Sequence, residues 1–321
     1  MSWNLNDLTT AAGAPVAVGD PAGYMFAVQN TQHVVYRGTD NHIHELYNDA
    51  GGWHHNDLTT AAYQTLPSYY GIPLAAGDPV GYMFDSQQTQ HVVYRGANNL
   101  IHELRWDSKG WHLNFLTDAV DAPPVAGNPT GYVFAAQGTQ HVIYRGSDGN
   151  IHELWWSNDG WHHSSLTTVT DAPLAASDPA AYMFDAQNTQ HVVYLGGDGH
   201  IHELYNTSNG WYHNDLTDST NSPATVGNPA GYMFAAQNTQ HVVYRGTDNH
   251  IHELYWAAGD VNTGYLGLDM EYQQQDNWCW SATTVSITKR YNTASPWTQA
   301  TLVNKAFGVT TACLDPSSKG V

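Results

Sequence analysis

The stretch TQHVVYRGTDNHIHEL at residues 31–46 returns almost unchanged at 239–254, and close copies occupy 89–104, 139–154 and 189–204. No other feature restricts the fold as much. Self-similarity at a fixed period marks an array in which one supersecondary unit recurs and buries its apolar face against the next copy. The Glu of IHEL falls at Glu45, Glu103, Glu153, Glu203 and Glu253, in steps of 58, 50, 50 and 50. The longer first step holds an insertion, YQTLPSYY at 63–70, in a connecting loop.

Each copy contains four strand-like runs. In the third they are GYVFAAQ, TQHVIYRG, NIHELWW and GWHHSSLT, separated by turn residues such as SDG and SNDG. They are rich in Val, Ile, Tyr, Trp and Thr, the residues that fit a pleated, packed surface. Asp-Pro or Asn-Pro pairs at 20–21, 78–79, 128–129, 178–179 and 228–229 mark the connector ahead of each first run. No segment of the repeats carries a clear 3.6-residue apolar period.

Four short antiparallel strands repeated about every 50 residues predict an all-β fold, a five-bladed β-propeller with four strands per blade. The fifth copy ends at HIHELYWAAGD (250–260) without its last strand, and a matching run, SWNLNDLT, stands at residues 2–9. Trp3 lies 50 residues before Trp53, in phase with the repeat. The expectation is a monomeric ring over residues 1–258, closed by this N-terminal strand. A β-solenoid is the rival, but its repeats are shorter and it needs polar caps rather than a displaced strand.

Composition narrows the partners. With 10 Lys and Arg against 29 Asp and Glu, the net charge is −19 with histidine neutral. Such a field repels phosphate backbones and anionic lipid, so nucleic acid is not an expected partner. A neutral ligand such as a sugar meets no such barrier. There is no run of 18 apolar residues to span a membrane. The start, MSWNLNDLTT, has neither the basic nor the apolar region of a signal peptide. A cytoplasmic or non-classically exported chain is expected.

Period-two alternation puts His33, Val35 and Arg37 on one face of a strand, and Ile43, Glu45 and Tyr47 on one face of the next. A carboxylate at the same place in every blade, among apolar neighbours, needs a partner. Two readings stay open. Each Glu pairs internally and holds the blade together, or each accepts hydrogen bonds from ligand hydroxyls beside an aromatic ring, as a sugar requires. Metal chelation by His42 with His44, or His200 with His202, is the weaker idea. The pair is broken by Leu100 and Asn150, no Cys accompanies it, and HIHEL is not the helical HExxH arrangement. No metal and no cofactor is expected.

The pattern HVVYRG…IHELxW…GW resembles the repeat of the fucose-binding propeller lectins and, more loosely, of tectonin-type propeller lectins. That resemblance implies glycan pockets between blades and fucosylated glycans or glycoproteins as partners. In that family an Arg and a Glu twelve residues on grip the sugar, and aromatics after the Glu complete the pocket. Here the twelve-residue pairs are His33/Glu45, His91/Glu103, His141/Glu153, His191/Glu203 and His241/Glu253. Histidine thus replaces arginine and its bidentate fork. Three residues past the Glu stand Trp106, Trp156 and Trp256, with Asn48 and Asn206 in the other copies. Eight residues past it stand Trp53, Trp111, Trp161 and Trp211, and Trp3 takes that place for the last blade. The fourth copy has Leu195 where the others have Arg37, Arg95, Arg145 and Arg245, which makes it the weakest site if that Arg meets ligand.

Residues 259–321 depart from the repeat. Cys279 heads CWSATTVSITKRY, whose Ala282, Val285, Ile287 and Tyr291 have helical spacing. A thiol at a helix N-terminus favours its nucleophilic thiolate. The run QQQDNWCWSATT with WTQATLVN (297–304) resembles the start of bacterial papain-like cysteine peptidases. The resemblance implies Cys279 as nucleophile and Gln273 as oxyanion donor. It also implies a downstream histidine, and none follows residue 252, so the chain as it stands is not expected to turn over peptides. Cys313 offers Cys279 a second fate, a disulfide. The expected function is multivalent glycan recognition at up to five sites, delivering an incomplete peptidase segment. A protein–protein scaffold and a working peptidase are the alternatives.

Overall fold

The computed structural model describes residues 3–64, 71, 74–257, 279–291 and 294–307. The chain divides into two compact units, Met1–Ala258 and Gly259–Val321.

The first unit consists of five antiparallel sheets, one per sequence repeat. The first orders β1 (Ala22–Phe26), β2 (Thr31–Arg37), β3 (Ile43–Asp49) and β4 (Gly52–Asp57). The second orders β5 (Val80–Phe84), β6 (Thr89–Arg95), β7 (Ile101–Asp107) and β8 (Gly110–Phe115). The third orders β9 (Thr130–Phe134), β10 (Thr139–Arg145), β11 (Ile151–Ser157) and β12 (Gly160–Ser165). The fourth orders β13 (Ala180–Phe184), β14 (Thr189–Leu195), β15 (Ile201–Thr207) and β16 (Gly210–Asp215). Among the described residues the fifth has β17 (Thr225–Phe234), β18 (Thr239–Gly246) and β19 (Ile251–Ala257) and no fourth strand. The Asn228-Pro229 connector of that copy is drawn into β17 as an irregularity between Val226 and Ala230.

Consecutive sheets meet through their first strands, β1 with β5, β5 with β9, β9 with β13 and β13 with β17. Each seam is a hydrophobic core of its own. Val35 and Ile43 of the first sheet pack with Val92, Tyr94 and Leu104 of the second, all of them out of solvent. Val193 and Ile201 do the same with Val242 and Tyr244 across the last seam. A Leu or Val side chain taken fully from water is worth about 1.5–3 kcal/mol, so the sheets are held by stacking rather than by lateral pairing. Gly81, Gly131 and Gly231 make the close approach possible. A Cβ at any of them would run into the ring of Tyr24, Tyr82 or Tyr182 from the preceding sheet.

One-turn helices follow each fourth-strand position: α1 (Leu8–Ala12), α2 (Leu58–Tyr63), α3 (Leu116–Ala119), α4 (Leu166–Thr170) and α5 (Leu216–Thr220). A single turn is too short to show a period, so the hydropathy pattern misses them. The readable signal was the cap. The Asp57 side chain accepts from the Thr60 backbone N–H, and Asp7 and Asp215 do the same for Thr10 and Asp218.

The closed ring expected from the sequence is not formed. Residues 3–7 adopt no strand, Trp3 and Leu5 lie fully in solvent, and β19 ends the fifth sheet with Ile251, Tyr255 and Trp256 exposed. Helix α1 packs against β4 and β3, the seat that α2 takes on β8 and α4 on β16. Because α2 holds that seat while β4 pairs in the preceding sheet, the helix does not itself keep residues 3–7 from β19. The reason lies in the stacking: each sheet meets the next, and among the described residues no comparable contact joins the first sheet to the fifth.

In the second unit, α6 (Cys279–Tyr291) and α7 (Gln299–Phe307) pack together. Val285 and Val303 are buried, whereas Ile287 is exposed. Among the described residues no helix is long and apolar enough to cross a membrane.

Candidate functional site

The period-two pattern delivers each twelve-residue His/Glu pair to directly facing strands. His33 Nδ1 lies 2.8 Å from Glu45 Oε1, and the same 2.8 Å recurs at His91/Glu103, His141/Glu153, His191/Glu203 and His241/Glu253. On its other side the ring is fixed by a hydroxyl. Thr31 Oγ1 is 2.7 Å from His33 Nε2, and Thr89, Thr139, Thr189 and Thr239 repeat the contact. A neutral imidazole fits this network, with Nδ1–H donating to the carboxylate and Nε2 accepting from the threonine.

The second carboxylate oxygen is also used. Asn56, Asn114 and Asn214 donate through Nδ2 to Glu45, Glu103 and Glu203 at 2.9, 2.7 and 2.9 Å. Ser164 faces Glu153 at that register position. A tyrosine of the first strand lies flat on each imidazole. Tyr24 on His33 and Tyr82 on His91 have ring centroids 5.0 and 5.3 Å apart. Burial and the neighbouring carboxylate push the Tyr24, Tyr82 and Tyr132 hydroxyls well above the usual tyrosine range. These hydroxyls reach across the seam. Tyr24 donates to Gln90 Oε1 at 3.1 Å, and Tyr182 to Gln240 Oε1 at 3.3 Å.

The four glutamates of the complete sheets are therefore buried, hydrogen-bonded acceptors rather than open ones. Glu103 is fully out of solvent, while the Glu253 side chain is 47% exposed, the fifth sheet having no fourth strand among the described residues. Two crevices nevertheless open beside these pairs. One, of about 330 Å³, lies between the second and third sheets. His91, Glu103, Arg105 and Asn114 come from the second sheet, and Gln140, Trp156 and Trp161 from the third. The other, of about 360 Å³, lies between the fourth and fifth sheets, with His191, Glu203 and Asn214 facing Gln240, Tyr255 and Trp256.

The tryptophans are thus not partners of the glutamate that precedes them in the chain. Trp106, Trp156 and Trp256 each reach back over the preceding sheet, edge-on to Phe26, Phe84 and Phe184 at 6.1, 6.2 and 5.5 Å. Trp111 and Trp161 sit directly opposite Trp106 and Trp156 in the register, and Trp53 and Trp211 sit opposite Asn48 and Asn206. Trp3 has no strand beside it in the structure. The sequence also missed Gln87, Gln140 and Arg105 as crevice groups. The recurring Gln of TQHV was the available signal for Gln140, whereas Arg105 stands where the other sheets hold Tyr or Trp.

The arginine of HVVYRG is engaged elsewhere. Arg37 and Arg95 donate to Asn41 and Asn99 in the following turn and to the Val18 and Ala76 carbonyls. In the fourth sheet, where Leu195 replaces it, the Ser177 hydroxyl accepts from the Leu195 backbone N–H.

The remaining histidines build a second network. His42 Nδ1 is 2.9 Å from Asp57, His200 Nδ1 is 2.8 Å from Asp215, and His44 bridges Asp40 and His55 at 3.0 Å each. Asp40, His42 and Asp57, like Asp198, His202 and Asp215, bring three donor atoms within 4.8 Å. Each of these side chains already has a protein partner. Burial lowers His55, His163 and His213, with the adjoining imidazole adding to it. The hydrogen bond that His200 donates to the Asp215 carboxylate raises His200. Cys279 opens α6, while Gln273 and Cys313 lie outside the described residues.

With this geometry in hand, comparison with solved structures places the fold. The SapL1 lectin, solved with α-methyl fucoside, superposes with a TM-score of 0.52 at 17% identity, covering 76% of this chain and 78% of that one. The BP39L lectin from Burkholderia pseudomallei gives 0.53 at 15%, covering 75% and 67%. The Aleuria aurantia lectin, a six-bladed β-propeller with its own mode of fucose recognition, gives 0.51 at 15%, covering 77% and 75%. The class this defines is a propeller-type stack of four-stranded antiparallel sheets. No protein-family model and no curated protein matches the chain.

Proposed function

We propose that this protein is a lectin that binds neutral glycans in the crevices between consecutive sheets. Each site takes its polar floor from the His–Glu–Asn cluster of one sheet and its aromatic wall from the Trp of the next. The observation that carries this reading is the crevice between the second and third sheets, where Trp156 and Trp161 stand over His91 and Glu103 with Arg105, Asn114 and Gln140 around them. Sugars present hydroxyl edges and C–H faces, and such a cleft meets both. The fold is shared with lectins solved with a fucoside, which makes fucosylated glycans the first ligands to try. The net charge of −19 opposes anionic glycans.

The ligand's direct donors and acceptors would be the crevice-rim groups Arg105, Asn114 and Gln140, with the His–Glu pair orienting them. Seams between the first and second sheets and between the second and third hold both tryptophans, Trp106 with Trp111 and Trp156 with Trp161. The other seams hold fewer and are the weaker sites. Several weak sites on one molecule gain by avidity on a glycosylated surface. The second unit is then the cargo directed there.

The test is a glycan array followed by calorimetric titration of the wild type and the Trp156→Ala/Trp161→Ala double variant. Binding of a neutral glycan, competed by the free monosaccharide and reduced in site number by the double variant, is expected. No glycan binding at millimolar ligand, with the fold intact, overturns the reading.

A further inference from the structure

We infer that the open edge of the fifth sheet is an interface for a second copy of this chain, whose residues 3–7 add as the missing fourth strand. This goes beyond glycan binding and holds whether or not the crevices take a sugar.

The edge is incomplete in a specific way. In the second sheet the carboxylate of Glu103 receives a hydrogen bond from Asn114 on the fourth strand, and in the fourth sheet Glu203 receives one from Asn214. Glu253 on β19 has no such donor among the described residues, and its side chain is 47% exposed. At the front of the third strand, histidine and fourth-strand carboxylate occur together or not at all. The first and fourth sheets pair His42 with Asp57 and His200 with Asp215. The second and third replace both members, with Leu100 and Phe115, and with Asn150 and Ser165. The fifth sheet keeps its histidine, His250, with a side chain 78% exposed and no fourth-strand carboxylate beside it.

The N-terminal segment carries the absent groups at the right spacing. Counting back one repeat of 50 from Asn56 and Asp57 gives Asn6 and Asp7. The register Glu45↔Asn56 and His44↔Asp57, carried to β19, places Asn6 opposite Glu253 and Asp7 opposite His252, next to His250. The same register puts Trp3 opposite Trp256, as Trp161 stands opposite Trp156. The added strand would therefore complete the crevice between the fourth and fifth sheets as well as the sheet.

The donor is assigned to another copy because residues 3–7 lie unpaired in a chain whose first and fifth sheets do not meet. Helix α1 is seated on the first sheet, and residues 3–7 ahead of it project into solvent with Trp3 and Leu5 fully exposed. Each copy so presents one donor strand and one acceptor edge. Such a head-to-tail contact grows into a ring or a chain of copies.

The experiment uses the full chain with Cys279 and Cys313 replaced by serine. Two differently tagged versions, one Asn6→Cys and one Glu253→Cys, are mixed and oxidised. A disulfide joining the two tags is expected, with sedimentation mass rising with concentration. A peptide of residues 2–9 should compete both away. A chain carrying both cysteines that crosslinks only within itself, at a mass that stays monomeric, overturns the inference. So does the absence of any crosslink while the mass is monomeric up to 100-fold above the concentration used for glycan titration.

Discussion

Glu103 and Glu253 occupy the same repeat position, yet the structure predicts very different costs for removing them. Glu103 is fully buried and accepts from His91 Nδ1 at 2.8 Å and from Asn114 Nδ2 at 2.7 Å. Glu103→Ala leaves two donors without their acceptor at a buried position. Each orphaned group costs about 1–3 kcal/mol, so the two donors together cost about 2–6 kcal/mol. A loss of about 4 kcal/mol is the expectation. Glu253 keeps one hydrogen bond, to His241, with its side chain 47% exposed. Glu253→Ala is accordingly expected to cost about 0–1 kcal/mol, the range of a solvated pair. The assay is urea unfolding followed by tryptophan fluorescence, at protein concentrations where the chain sediments as a monomer. With a slope near 3 kcal/mol/M, the two midpoints should drop by about 1.3 M and by less than about 0.3 M. Equal drops, with unchanged slopes, would show that repeat position rather than burial sets the cost, and would refute the role of burial in these pairs.

Acid sensitivity has a defined sign. Burial pulls His102 from 6.5 down to about 4 and lowers His55, His163 and His213 in the same direction. Between those pH values the folded chain binds fewer protons than the unfolded one. The stability involved is complete above pH 6.5 and is lost as pH falls toward 4, by about 3 kcal/mol for His102 alone. His200, raised by Asp215, works the other way but is a single, partly exposed group. Urea midpoints should therefore fall steadily from pH 7 to pH 4.5, and a flat or rising midpoint would contradict this. A third expectation concerns His102 Nδ1, which is buried with no hydrogen-bond partner among the described residues. In the first, third and fourth sheets that atom meets His55, His163 or His213, whereas here Leu113 stands in the register position. Leu113 is itself a buried core residue, so Leu113→His gives up apolar burial but regains that hydrogen bond, and should lower the melting temperature less than Leu113→Ala does; an equal or larger drop would show the histidine network is not what holds that edge.

Much of the architecture was readable because a repeat constrains itself. Five copies of one strand pattern, spaced by turn residues, leave few arrangements that bury both faces of every sheet. The strand runs, four of the five Asp/Asn-Pro connectors and the helix headed by Cys279 lie where the residues indicate, whereas Asn228-Pro229 is drawn into β17. The His–Glu pairs were legible too, since period-two alternation and a twelve-residue spacing put His33 and Glu45 on facing strands. The one-turn helices were not, because a single turn has no period. The closed ring was not either. Phase with the repeat says that residues 2–9 can serve as a fourth strand but is silent on which edge they meet.

The sequence by itself determined the unit: its length, its four strands, and the carboxylate–imidazole contact within each sheet, all of which follow from local periodicity along one stretch of chain. Only the tertiary structure decided what faces that contact. Alternation fixes which side of a sheet a residue points to, but the neighbour on that side is set by how the sheets stack. So it was the stacking that walled Glu103 with Trp156 of the next sheet rather than with its own Trp106, sealed four carboxylates and left the fifth open.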